Sequence, residues 1–305
     1  MLLSLIYIII KVYFSMKILC TGATGFIGSN LVPALLTQRH TVAVLKRKTS
    51  GLKHLENYKG SITTYDYSTY SDIYEVLQES KPDLLIHLAT LYINKHTEDD
   101  VQLILDSNIC FGMHILEAMK RSGVSKILNF GTRWQHINNE LYNPANLYAA
   151  TKQAFYDILR WYNKDGIMSK TLELCDTFGP NDIRKKIVNL LVEACKNKKM
   201  IDLSPGEQIL DITYVDSLVE YIIANIENDI FFDNAVIQIA GSEIKLKDLG
   251  NIIEDACGVR GFFNWGKICY RENEIMKPPL CNSIKKKYLT ADADIKNSII
   301  HTFLE

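Results

Sequence analysis

The 305-residue chain has no C-x-x-C pair, no apolar stretch long enough for a membrane span, and no excess of charge of either sign. Each absence excludes something. The seven cysteines, Cys20, Cys110, Cys175, Cys195, Cys257, Cys269 and Cys281, are odd in number and widely scattered. Neither a disulfide framework nor a zinc site has that pattern, and reduced thiols in a cytoplasmic protein do. No metal is expected. A formal net charge of −1 gives no general attraction to nucleic acid or anionic lipid, so any phosphate must be bound locally. Leu2–Ile10 is apolar apart from Ser4, but Lys11 interrupts it, and a span needs ~20 apolar residues. No basic segment precedes this run and no A-x-A-like cleavage site follows it, which argues against a signal peptide. Met16 reads as a natural start, so residues 1–15 are expected to be an appendage, with no membrane partner.

What is present is alternation. Short apolar runs at Lys17–Thr21, Thr41–Leu45, Ile62–Tyr65, Asp83–Leu88, Lys126–Phe130 and Thr171–Asp176 read as strands. Helical spacing separates them at Phe26–Gln38, Ser71–Glu79, Asn108–Ser122 and Tyr148–Tyr162. This pattern predicts an α/β fold, a parallel sheet wound on both faces by helices. Pro33 sits inside the first helix, where it should cost ~3 kcal/mol or force a kink. After Gly179-Pro180 the pattern loosens. Helices are expected at Arg184–Lys198, Asp216–Ile226 and Lys247–Cys257, and strands at Leu210–Tyr214 and Val236–Ile239. Residues 16–178 are therefore read as one domain. Residues 179–305 are read as a smaller lobe that returns some elements to the first sheet.

Thr21-Gly22-Ala23-Thr24-Gly25-Phe26-Ile27-Gly28 joins the first strand to the first helix with the spacing G-x-x-G-x-x-G. The first glycine permits a tight turn, the second lets backbone amides approach a pyrophosphate, and the third lets helix and strand pack closely. The helix N-terminus adds partial positive charge at the same point. Thr24, Phe26 and Ile27 lie within this turn, so a Rossmann-type, dinucleotide-binding sheet is expected, the alternative being a glycine-rich turn with no ligand. The second strand runs on into Lys46-Arg47-Lys48, with no acid to take ribose hydroxyls. Arg47 first and Lys46 second are suited to a 2′-phosphate, so the expected cofactor is NADP(H). The alternative is a solvated basic turn.

Tyr148 and Lys152 stand at i and i+4 on one helical face. A free tyrosine, with a pKa near ~10, is a poor base at neutral pH, and a neighbouring ammonium favours its phenolate. The pair could then exchange protons with a carbonyl or alcohol oxygen. Tyr7/Lys11 and Tyr13/Lys17 share the spacing, so position must select the functional pair. Tyr148/Lys152 lies one strand and loop beyond Lys126–Phe130, and Thr132 follows that strand closely enough to hydrogen-bond the same oxygen.

In that order, the glycine turn, Asp66, His87-Leu88-Ala89-Thr90, Thr132 and the Tyr148/Lys152 pair resemble extended short-chain dehydrogenases/reductases over about residues 16–240. The resemblance implies Tyr148 as acid/base, and Lys152 as the residue that binds the nicotinamide ribose and lowers the tyrosine pKa. It implies Thr132 orienting substrate, Asp66 with Tyr67 near the adenine, and Leu88, Ala89 and Thr90 lining the cofactor. Three segments, Phe130–Gln135, Asn143–Phe155 and Gly179–Arg184, are similar to the CDP-abequose/CDP-paratose synthase branch, as is Ser204–Gln208 with Asp211, Val215 and Asp216. Members of that branch reduce the 4-keto group of a deoxy nucleotide sugar with NADPH. The implied partner is a nucleotide-diphosphate sugar, with Arg184 and Asn181 as substrate contacts. Arg184 suits a diphosphate chemically but could equally be an exposed helix-start arginine. Trp134 would pack on the sugar or serve an apolar core or loop role. A homodimer is usual in the resembling family. The tail, Lys285–Glu305, does not resemble the family's ending.

A 4,6-dehydratase of this superfamily carries an Asp-Glu pair after the catalytic threonine, whereas here Arg133-Trp134 follows Thr132. The carboxylates for removing water are missing. An epimerase would more naturally carry tightly held NAD, and the basic turn points to exchangeable NADPH. A keto-sugar reductase is the reading adopted, with an epimerase of the same family or a non-catalytic NADP-binding sensor or scaffold as alternatives. The intact Thr132/Tyr148/Lys152 set argues against a sensor.

Overall fold

The computed structural model describes residues 15–272, 274–289 and 295–304. Apart from Ser15, the expected N-terminal appendage lies outside the described residues. Met16 is buried and donates its N–H to His40 Nδ1 at 3.3 Å.

The first half runs β1 (Lys17–Thr21), α1 (Phe26–Thr37), β2 (Thr41–Arg47), β3 (Ile62–Tyr67), α2 (Tyr70–Ser80) and β4 (Leu84–His87). It continues through α3 (Asp100–Leu105), α4 (Phe111–Ser122), β5 (Lys126–Thr132), α5 (Leu147–Asn163) and β6 (Met168–Leu174). The second half has β7 (Asp176–Phe178), α6 (Ile187–Lys196), β8 (Ile201–Leu203), β9 (Ile209–Tyr214), α7 (Val215–Asn225) and β10 (Val236–Ala240). It ends with β11 (Ser242–Lys245), α8 (Leu246–Cys257), β12 (Phe263–Trp265), β13 (Lys285–Tyr288) and α9 (Ile295–Phe303).

Eight strands form one parallel sheet in the order β13-β10-β6-β5-β4-β1-β2-β3. Alternation along β1 sends Ile18 and Cys20 to one face and Leu19 to the other. The first face packs on Leu31 and Leu35 of α1 and Leu218 and Ile222 of α7. The second packs on α2, α4 and α5 through Ile73, Leu77, Ile115, Leu116 and Leu159. The fold is thus the doubly wound, Rossmann-type α/β sheet that the alternation implies. The order reverses between β1 and β4, whose C-terminal ends flank the crevice where such sheets bind ligands.

The helix α1 continues through Pro33 without a break. Proline's fixed φ suits a helix. Burial of Leu31, Val32 and Leu35, each 0% exposed, offsets the lost hydrogen bond. A second difference lies before β5. Instead of a helix starting at Asn108, α3 and α4 are joined by a π-helical turn, Asp106–Cys110. Beyond the main sheet, β11-β9-β7 form a small sheet and β8 pairs with β12. With α6, α8 and α9 they enclose a separate core around Leu191, Leu249, Ile253 and Ile299. Among the described residues no helix is long and apolar enough to cross a membrane.

Candidate active site

A cavity of about 860 Å³ opens at the C-terminal ends of β1, β4, β5 and β6. Gly22, Thr24, Gly25, Phe26, Ile27 and Gly28 line one side. Gly22 has φ +68°, and a Cβ there would fall 2.4 Å from Ala89 N, so only glycine lets the β1 and β4 loops meet. At Gly28 a Cβ would fall 2.5 Å from Ala23 Cα, which fixes the close approach of α1 to its own turn. No side chain caps α1, and its first turn holds no acid, so its free amides face the cavity end with their partial positive charge unopposed.

At the far end of the cavity, the parallel register pairs Lys46 with Asp66 and Arg47 with Tyr67. Lys46 Nζ lies 2.5 Å from Asp66 Oδ1. Asp66 is spent on that pair and lies outside the cavity lining, which at this strand consists of Tyr67, Ser68 and Thr69. Tyr67 stacks on Phe111 with centroids 4.9 Å apart. Arg47 also lines the cavity and makes no ion pair among the described residues.

Thr132, Tyr148 and Lys152 come together at the other end with Leu88, Ala89 and Thr90. Asn146 caps α5, accepting from Ala149 N at 2.9 Å, and this sets the helix start one residue before Tyr148. Lys152 is 4% exposed, and its ammonium has no hydrogen-bond or ion-pair partner among the described residues. Burial lowers its pKa to about 8. The Tyr148 phenol is pushed well above its ordinary value by burial and the nearby Tyr92, while Thr90 and Arg184 act in the opposite direction. At neutral pH Tyr148 is therefore a protonated donor. Tyr92 meets it edge-on at 5.0 Å. His87, beneath Lys152, is lowered to about 3 by burial and by the lysine charge, and is thus neutral; its Nδ1 lies 2.9 Å from Thr21 Oγ1.

Asn108, which the sequence pattern had marked only as a helix start, sits in the π-helical turn and braces this end. Its Oδ1 accepts from Thr90 Oγ1 at 3.0 Å and Leu91 N at 2.7 Å. Its Nδ2 donates to Leu91 O and to the hydroxyl of Thr151, the neighbour of Lys152.

The cavity lining also includes Trp134, Leu174, Cys175, Asp176, Thr177 and Lys186. Arg184 also reaches the cavity, yet its guanidinium is already gripped by Asp182 through Nε–Oδ1 at 2.7 Å and Nη2–Oδ2 at 2.8 Å. It lies 4.1 Å over the Phe26 ring. Asn181 is exposed, in the left-handed region with φ +65°, and lies outside the cavity lining, where its side chain turns to Asn30. Asn30 of α1 also donates to Pro180 O at 2.9 Å, which holds this loop against α1. Lys186 pairs with Asp176 at 3.2 Å and covers the Tyr92 ring at 4.7 Å; neither contact has a sequence signal, because the partners come from distant segments.

Sheet order, glycine turn and cavity define the class, a Rossmann-type α/β enzyme. The chain belongs to the NAD dependent epimerase/dehydratase family, whose pattern residues 18–240 match. It is 30% identical to the CDP-abequose synthase of Yersinia pseudotuberculosis over 266 residues, covering 86% of this chain and 92% of that one. The CDP-abequose synthase of Salmonella typhimurium is 26% identical, with coverage of 85% and 87%. Among solved structures, the UDP-N-acetylglucosamine 4-epimerase of Methanobrevibacter ruminantium, in complex with UDP-N-acetylmuramic acid, superposes with a TM-score of 0.81 at 21% identity, covering 95% of this chain and 97% of that one. The UDP-glucose 4-epimerase of Thermotoga maritima, with UDP-glucose, gives 0.78 at 18% identity, with coverage of 95% and 98%.

Proposed function

We propose that the protein reduces the 4-keto group of a deoxy sugar carried on a nucleoside diphosphate, with NADPH as the reductant. The observation that carries this reading is the convergence of Thr132, Tyr148 and the unpartnered Lys152 at one end of a cavity that has Arg47 at the other.

The residues present fit a dinucleotide. A Cβ would fill the cradle at Gly22, and the orphaned Lys152 ammonium is buried beside the cavity. Amides of the glycine turn would hold the diphosphate, Tyr67 and Ser68 the adenine, Arg47 the 2′-phosphate, and Lys152 the nicotinamide ribose. NADPH, when bound, supplies the hydride. Tyr148 gives its phenolic proton to the ketone oxygen, and the Thr132 hydroxyl hydrogen-bonds that oxygen. Lys152, as a cation, stabilises the phenolate left behind. The partly apolar wall of Trp134, Leu174 and Cys175 suits a ring that has lost hydroxyls.

Two features favour reduction over the other reactions of the family. Arg133 stands beside Thr132 where a dehydratase needs an acid, and it is buried away from the cavity. The strand β2 ends in Lys46-Arg47, with no acid to take ribose hydroxyls, which supports NADPH over the NAD of an epimerase. CDP is the favoured carrier on the strength of the Yersinia relative. The test is oxidation of NADPH, with NADH in parallel, on 4-keto-6-deoxy and 4-keto-3,6-dideoxy sugars carried by CDP, dTDP and GDP. Selective NADPH oxidation with one carrier is expected. Binding of NADPH with no turnover on any carrier would contradict the proposal.

A further inference from the structure

Behind the cavity, a buried polar cluster runs between β5, β6 and α5, and the chemistry above makes no use of it. Gln135 Oε1 accepts the Thr132 N–H at 2.8 Å. Its Nε2 donates to Gln153 Oε1 on α5 at 2.8 Å and reaches Glu173 Oε1 on β6 at 3.3 Å. Gln153 directly follows Lys152. The Glu173 carboxylate is buried, and its second oxygen accepts from Gln238 Nε2 at 3.0 Å and lies 2.9 Å from His136 Nε2. The main chain makes room for this arrangement. A Cβ at Gly131 would fall 2.9 Å from Glu173 Cγ and 3.0 Å from Gln135 Oε1.

The protonation of His136 follows from its partners. Nδ1 faces two carbonyls, Leu141 O at 2.9 Å and Glu140 O at 3.2 Å. Nε2 faces a carboxylate. Every partner is an acceptor, so both nitrogens must carry hydrogen. Burial alone would lower the imidazole pKa, but the Glu173 carboxylate and the two carbonyls outweigh it and raise it. Among the charged groups of the described residues, Glu173 alone hydrogen-bonds the ring; Tyr156 of α5 feels the Glu173 charge, and the Glu140 carboxylate is turned to Asn143.

We propose that Gln135, doubly protonated His136 and Glu173 form a positioning unit that fixes the main chain of Thr132 against the helix bearing Tyr148 and Lys152. The proposal rests on the reading of those three as the reacting groups. His136 and Gln238 hold the Glu173 carboxylate in place, Glu173 orients the Gln135 amide, and Gln135 joins the end of β5 to the turn of α5 beside Lys152. A slip of the threonine by a fraction of an ångström would mis-aim its hydroxyl at the ketone oxygen.

The test compares Gln135→Met with Gln135→Glu in the full-length protein. Gln135→Met leaves the Thr132 N–H without its acceptor, and kcat should fall about 10²-fold while KM and the Kd for NADPH change little. Gln135→Glu keeps the acceptor and regains a hydroxyl donor only when protonated, so its kcat should climb toward the parent value as pH falls. A purely structural role would lower Tm in both variants and leave the pH profile of kcat unmoved, and that result would overturn the proposal. So would imidazole nitrogen NMR shifts showing His136 singly protonated at pH 7. If the parent reduces no keto-sugar, the functional reading fails by itself. The unit is then judged by those shifts and by amide exchange at Thr132, which must accelerate in Gln135→Met.

Discussion

A lysine with 4% exposure and no ion-pair partner among the described residues is a group that folding resists, and Lys152 is in that position. Its pKa, lowered from 10.5 to about 8 by burial, measures the resistance. Because the folded-state value lies below the unfolded one, the penalty is full below about pH 8 and fades as pH rises toward 10.5. Lys152→Met should therefore raise Tm at pH 7 by several degrees, with the gain shrinking above pH 8, while turnover collapses. Differential scanning calorimetry across pH, beside an activity assay, checks both halves. In the parent, turnover should decline as pH rises through about 8, where the lysine charge is lost. Arg47 and Lys46 show the same logic from the opposite side. Adjacent in sequence, alike in chemistry and both lining the cavity, they differ in their partners: Lys46 pairs with Asp66, and Arg47 has no ion pair among the described residues.

At the level of elements, the strands and helices of the first half were readable because each buries a regular face. β1 runs over the residues its apolar pattern marks, and α1 ends one residue short of the expected Gln38. The glycine turn was readable for a related reason, since backbone approach at Gly22 and Gly28 tolerates no side chain. What escaped has local causes. β8 and β12 are three residues each, too short for any period to register. The π-helical turn at Asp106–Cys110 differs from an α-turn by a single hydrogen-bond step, and Asn108 mimics a helix cap in sequence. The geometry of Arg184 and Asn181 depended on the loop between β7 and α6, where Asp182 captures the guanidinium and a left-handed turn removes the asparagine. Side-chain competition of that kind leaves no periodic trace.

At the scale of the molecule, a fully buried ion pair ties the residue that follows β5 to β9 of the small sheet. Arg133, at 0% exposure, lies 2.5 Å from Asp211 Oδ2 on β9 and donates to Pro279 O at 2.7 Å, with a longer contact to Ile239 O on β10. Asp211 Oδ1 accepts from Gly241 N at 2.7 Å. Removing one partner strands the other charge in a dry interior. Arg133→Met should cost about 3–5 kcal/mol in urea-unfolding stability, and adding Asp211→Leu should recover most of that loss. Failure of the double variant to recover would mean that the backbone contacts to Pro279 and Ile239, rather than the charge pair, hold the end of β5 to these segments.

The proposal that Tyr148 protonates the ketone oxygen while NADPH supplies a hydride to the carbon is tested most directly by Tyr148→Phe. The measurement is NADPH oxidation with a CDP-linked 4-keto-6-deoxy sugar, together with NADPH binding by fluorescence. NADPH affinity should be unchanged and turnover should fall by about 10²–10⁴ relative to the parent. Turnover that survives the substitution would contradict it.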